Sequence, residues 1–189
     1  MADQLYLSYI LGNYSEENML RYYEKLLKLF PFSRLARNPS TFKVIPVDIT
    51  EPAVLEVPML APLAIDLVLG AAKDFQNADS CYRLETWWDL WQFDVDWKLT
   101  PSRAALVCFG PEFAREDGSH LEIEFGIDAH FLPQPEIPGS LVTIQSNIKS
   151  LLKLVHDLDD ALPVETRRLW SESGENFSEK LQQALQAAG

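Results

Sequence analysis

The chain is poor in cysteine and glycine, has no excess of basic residues and no long apolar run. Its two cysteines in 189 residues, Cys81 and Cys108, cannot build a disulfide framework, and no Cys-x-x-Cys or zinc-ligand spacing occurs. The most apolar stretch, Pro62 to Ala72, is interrupted by Asp66 and falls short of a membrane span. The opening Met1-Ala2-Asp3-Gln4 lacks the basic and then apolar run of a signal peptide, so the expected location is the cytoplasm, with both thiols reduced. Both cysteines sit in strand-like apolar surroundings, the setting of inert buried thiols. Acids outnumber bases by 28 to 16, a net charge of -12. That field repels phosphate backbones and anionic lipid, so no nucleic acid and no membrane is expected as partner.

Catalytic signatures are missing too. There is no Gly-x-Gly-x-x-Gly, no phosphate loop, no Gly-x-Ser-x-Gly elbow and no His-Glu-x-x-His. Gly110-Pro111-Glu112 places a carboxylate after a strand, but Gly-Pro is first of all a turn signal.

What is present is an ordinary globular composition, 47% hydrophobic and 23% charged, enough for one sizeable core. The charge is uneven. Residues 1–45 carry six bases and four acids, residues 46–99 three and ten, residues 100–139 two and seven, and residues 140–189 five and seven. The middle of the chain therefore holds the negative field. It serves solubility, and it also suits a basic protein partner.

Hydrophobic periodicity gives an α+β reading with a mainly antiparallel sheet of about six strands. Leu5 to Leu11 reads as a strand. Ser15 caps a helix with Met19, Tyr23, Leu26, Leu27 and Phe30 on one face, ended by Pro31. Strands follow at Thr41 to Ile49 and Val54 to Met59, then a helix from Pro62 with Leu63, Leu67 and Ala71 inward, then a strand from Cys81 to Trp88. That β-α-β-β-α-β order is the split βαβ order of ferredoxin-like folds. Arg103 to Phe109 and His120 to Phe125 read as a hairpin. The stretch Pro133 to Gly139 is a linker. A long helix from Ser140 carries Leu141, Ile144, Ile148, Leu151, Leu152, Val155 and Leu158 as its stripe, and Pro163 stops it. A last helix runs from about Ser178 to Ala187. The whole reads as a single domain: a ferredoxin-like portion (1–97), a hairpin extension with linker (98–139) and C-terminal helices (140–189) packed on one sheet face.

Two constellations point to chemistry. His120, Glu122 and Glu124 share one face of a regular strand, with Asp128 and His130 close behind. Imidazole with carboxylate suits a divalent transition metal, with both histidines and one carboxylate as ligands and Asp128 as orienter or base. The same alternation also describes a plain strand showing its polar face to solvent. Gly126 can bulge that strand and put Asp128 and His130 out of phase. The second constellation is Trp87-Trp88-Asp89-Leu90-Trp91 followed by Asp94 and Asp96. Adjacent Trp87 and Trp88 cannot both face the core of a strand. Indoles beside Asp89, Asp94 and Asp96 could take a sugar, a cation or an Arg-rich partner. A covering C-terminal helix would instead bury them.

These observations favour a non-catalytic binding protein for another protein, one concrete form being an acidic inhibitor or immunity protein that masks a basic toxin. The alternatives are a small metal-dependent enzyme or ligand-binding protein using the His/Glu/Asp set, and self-association through an open sheet face. No cofactor is called for beyond that divalent metal.

Overall fold

In the computed structural model, which describes residues 2–188, strict alternation of apolar residues sets the first strand. Leu5, Leu7, Tyr9 and Leu11 of β1 (Gln4–Leu11) point to one side and are buried. Helix α1 (Glu16–Leu29) follows, with Glu16 and Glu17 in the first turn and Lys28 in the last, both matched to the helix dipole. The Asn18 side chain accepts the Ser15 N–H at 2.9 Å, satisfying a backbone donor at the helix start. Its expected stripe, Met19, Tyr23, Leu26, Leu27 and Phe30, is buried throughout.

The remaining elements are β2 (Ser40–Pro46), β3 (Leu55–Met59), α2 (Ile65–Asp74), β4 (Ser80–Phe93), β5 (Trp97–Phe109), β6 (Leu121–Ile127), a 3-10 turn (Asp128–Phe131), α3 (Ser140–Ala161), β7 (Val164–Ser171) and α4 (Phe177–Ala188). The seven strands form one sheet in the order β3-β2-β4-β5-β6-β1-β7. Every neighbouring pair is antiparallel. The fold is thus α+β with an antiparallel sheet.

The element order along the first half is as read, but the pairing is not ferredoxin-like. β1 lies between β6 and β7, and β4 lies between β2 and β5. The cause is the β4–β5 hairpin, paired from Cys81↔Phe109 to Phe93↔Trp97, longer than the apolar runs alone implied. β6 then folds back on β5 and offers its other side to β1. The seventh strand, β7, falls where the sequence suggested only a connection. It is an edge strand with Glu165, Thr166, Arg167 and Arg168 exposed, so it carries little apolar alternation. In α2 the inward face is Val68, Leu69 and Ala72, while Leu67 is 65% exposed, so the expected phase was shifted.

One large core lies on the helix side of the sheet. It joins α1, α2 and α3 residues to Phe42, Val44, Tyr82, Leu84, Trp88, Leu90, Leu106, Leu121, Ile123 and Phe125. A small second cluster, Ile45, Cys81, Ala105, Val107, Phe109 and Phe113, lies on the opposite face. Among the described residues no helix covers the rest of that face. Across β2, β4, β5, β6, β1 and β7, one row there reads Lys43, Arg83, Val107, Glu122, Ser8, Arg168. The next reads Thr41, Glu85, Ala105, Glu124, Tyr6, Trp170. No described helix is long and apolar enough to cross a membrane.

Candidate functional site

The strand pleat separates the tryptophans. Trp88 is 1% exposed, with its ring 5.7, 5.1 and 5.6 Å from those of Phe30, Phe125 and Phe131. It is a core residue. Trp87 faces the other way and lines the open face. Asp89 accepts hydrogen bonds from the Ser33 hydroxyl at 2.5 Å and the Arg34 N–H at 2.9 Å, tying the segment after α1 to β4. The Trp91 backbone is held from α3: its N–H donates to Asn147 Oδ1 at 2.9 Å, and Asn147 Nδ2 donates to its carbonyl at 2.8 Å. Asp94 and Asp96 are exposed in the β4–β5 turn. The structure therefore does not gather Trp87, Trp88, Trp91, Asp89, Asp94 and Asp96 into one site.

The His/Glu/Asp set is also dispersed. His120 directly precedes β6; its Nδ1 accepts the Leu11 N–H at 2.9 Å and its ring stacks on Tyr14 at 4.0 Å. Burial holds its pKa below the usual value, against an opposing pull from Glu165. Glu122 is buried and accepts from the Ser8 hydroxyl and Arg115 Nη2, both at 2.8 Å. Burial raises its pKa, although Arg115 and Ser8 work the other way. Glu124 takes a two-pronged pair of hydrogen bonds from Arg83, each 2.7 Å. The pairing of β1 skips from Gln4↔Ile127 to Tyr6↔Glu124, with Gly126 at a φ of 80°, so the strand does bulge there. Past the bulge, Asp128 accepts from the Asp3 N–H, the Ser171 hydroxyl and Lys180, a clasp between the chain's two ends. His130 lies in the 3-10 turn, its Nδ1 buried without a hydrogen-bond partner among the described residues. The bulge and these separate partners keep His120, Glu122, Glu124, Asp128 and His130 apart. Among the described residues no group of three or more His, Cys, Asp or Glu side chains is arranged to hold a metal ion.

Both thiols are buried, and burial pushes the Cys108 pKa up to about 12. Neither has the depressed pKa of a nucleophile.

Two surfaces stand out. The first is a cleft of about 650 Å³ on the open sheet face, lined by Tyr6, Arg83, Glu85, Trp87, Arg103, Ala105, Glu124, Gly126 and Glu172 among others. It is concave because Gly126 has no side chain on β6, while Ala105 on β5 is short and only 3% exposed. The Arg83–Glu124 pair crosses over β5 and lines it. Arg103 lies over the Trp87 ring at 5.3 Å, and Tyr6 stacks on Trp170 at 4.5 Å.

The second surface is an acidic lip at one end of the sheet, built by three loops. Val47 N–H bonds to Asp79 O at 2.8 Å, Ala114 N–H to Val47 O at 3.0 Å, and Glu112 N–H to Ala78 O at 2.8 Å. Gly110 is packed so closely that an added Cβ would sit 2.2 Å from Ala78 O. These bonds join the three loops that carry Asp48, Glu51, Asp79, Glu112, Glu116 and Asp117. Arg115, in the same loops, is turned inward over the Phe109 ring at 4.1 Å and onto Glu122. Exposed aliphatics stand among these acids: Val47 at 53%, Ile49 at 52% and Val54 at 55%. Val47 has a φ of 63°, a left-handed backbone that a β-branched residue seldom adopts.

No protein-family model matches the chain, and no curated protein or solved structure matches it. The acidic blocks at 46–99 and 100–139 announced a negative field, but not its collection by three loops. Tyr6, Arg83, Arg103 and Trp170 had no local signal, because their association depends on which strands pair.

Proposed function

We propose that the chain is a non-catalytic binding protein whose acidic lip docks a basic protein partner, as an inhibitor or immunity protein would. The observation that carries this reading is Val47: an exposed, strained aliphatic residue at the centre of a lip of carboxylates. Strain of this kind costs stability and recurs at binding sites. Apolar groups rimmed by charge suit protein contact better than solvation alone. The dispersal of the His/Glu/Asp set speaks for binding over metal-dependent catalysis.

Charge of one sign at a lip speeds association and makes it salt-sensitive. The test is a panel of basic proteins at low and high salt, with the parent and with a Glu51→Lys, Glu112→Lys, Glu116→Lys variant. All three side chains are exposed, so the fold should survive. At least one panel member should bind the parent with an on-rate that falls steeply with salt, and the variant should lose that binding. Equal binding by parent and variant would sink the proposal. Val47→Gly, which takes a positive φ without strain, should gain about 1 kcal/mol of stability and lose affinity.

A further inference from the structure

The open-face cleft holds an arginine that the fold does not use. Arg83 is spent on Glu124 and Glu85, and Arg115 on Glu122 and Asp117. Arg103 lines the cleft, is exposed, and has no carboxylate within 4 Å among the described residues. It lies instead over the half-buried Trp87 ring, its cross-strand partner in the β4–β5 hairpin. A guanidinium resting on an indole has lost much of its rotamer freedom, while its edge N–H groups stay available to a planar anion.

We propose that this cleft binds a small monocarboxylate with a flat apolar body, its carboxylate on Arg103 and its body over Gly126, between Trp87 and Tyr6. The inference is independent of the acidic lip.

Shape argues for the flat body. β4 and β1 are three strand spacings apart, about 14 Å between backbones. Trp87 and Tyr6 rise from those two strands; between them β5 contributes Arg103 and the short, buried Ala105, and β6 contributes Glu124, held by Arg83, and Gly126, which leaves the gap. Tyr6 is braced from behind by Trp170, whose indole N–H is itself held by the Ser8 hydroxyl at 3.0 Å. The walls are therefore fixed before a ligand arrives, which lowers the ordering cost of binding.

Charge argues for a single negative group. Glu85 and Glu124 in the cleft are neutralised by Lys43 and Arg83, whereas Glu172 has no basic partner within 4 Å among the described residues. Glu172 is therefore the unneutralised acid among the described residues of the cleft lining. One carboxylate can pair with Arg103 and keep clear of Glu172. A phosphate dianion would meet it, and an ammonium ligand would leave Arg103 unpaired in a filled cleft.

The probe is 3-phenylpropionate, titrated into the 15N-labelled full chain, with 3-phenylpropanamide, 3-phenylpropylamine and phenyl phosphate as comparators. The expected result is saturable shifts of the Trp87 indole N–H and the Ala105 and Gly126 amides with the carboxylate. Arg103→Gln should weaken it by about tenfold or more, the loss of one charge-assisted pair, and Arg103→Lys by less. Arg21→Gln, an exposed arginine on α1 and outside the cleft lining, should bind as the parent does. Both positions are exposed, and amide dispersion verifies the fold. The proposal is overturned if no saturable shift occurs, if the amide, amine or phosphate binds as tightly as the carboxylate, or if Arg103→Gln binds as the parent does.

Discussion

The two faces of the sheet solve opposite problems with the same strands. On the helix side, aromatic and aliphatic residues pack against α1, α2 and α3, and Trp88, Phe125, Phe131 and Phe30 form a continuous aromatic group. On the open side, charged residues reach across strands to each other, and aromatics serve as beds for arginines: Arg103 on Trp87, Arg168 on Trp170 and Arg115 on Phe109. Adjacent residues in β4, Trp87 and Trp88, belong to the two regimes. The comparison teaches that an aromatic residue's role here is set by strand parity, not by its place in an aromatic-rich run.

The largest expected effect tests that directly. Trp88→Ala removes a fully buried indole and should cost about 3–5 kcal/mol of unfolding free energy. Trp87→Ala, on the open face, should cost less than about 1 kcal/mol. Urea denaturation of the two variants would measure the difference. Similar losses at both positions would break the division between the faces.

A smaller effect probes the floor of the open face. Gly126 holds a φ of 80°, and an added Cβ would lie 3.3 Å from the Arg103 carbonyl. Gly126→Ala should therefore cost about 1–2 kcal/mol through backbone strain. It should also shift the β1–β6 amide resonances on either side of the bulge. An unchanged stability would mean that the bulge is not what positions Glu124 beside Tyr6.

Much of the helix face was legible in the sequence, because its signal is local. The α1 stripe, the start of α3 and the opposed directions of Trp87 and Trp88 follow from periods of 3.6 and 2. The α3 stripe was partly right: Ile144, Leu151, Val155 and Leu158 are buried, while Leu152 is exposed and Asn147 is buried to hold the Trp91 backbone. The open face was not legible, because its meaning is non-local. Arg83 meets Glu124 across an intervening strand, 41 residues along the chain, and Ser8 meets Glu122 across 114. The first contact exists only once β5 lies between β4 and β6, the second only once β6 lies beside β1, and no local pattern specifies those pairings. β7 escaped for a related reason, since an exposed edge strand does not need the apolar alternation that reveals a buried one.

The smallest effect separates two neighbours, one just before β6 and one on it, that alternation alone would place together. His120 is held neutral, its Nδ1 accepting a backbone N–H, and burial keeps its pKa below the ordinary 6.5. Below pH 6.5 the unfolded chain takes up a proton that the native residue resists. The stability His120 contributes is therefore present above 6.5 and lost as pH falls through the native pKa. Glu122 behaves oppositely. Burial lifts its pKa above the ordinary 4.5, so the native state holds a proton that the unfolded chain has released. Its contribution is present below 4.5 and is lost as pH rises through the native pKa. Unfolding free energies followed across the acid range should show the two terms as differences from the parent. His120→Asn should remove a term that grows with pH, and Glu122→Gln one that shrinks with pH. If both variants changed the curve with the same sign, the two side chains would share one environment, and their separate partners at Leu11 and at Ser8 and Arg115 would not be what governs their charge.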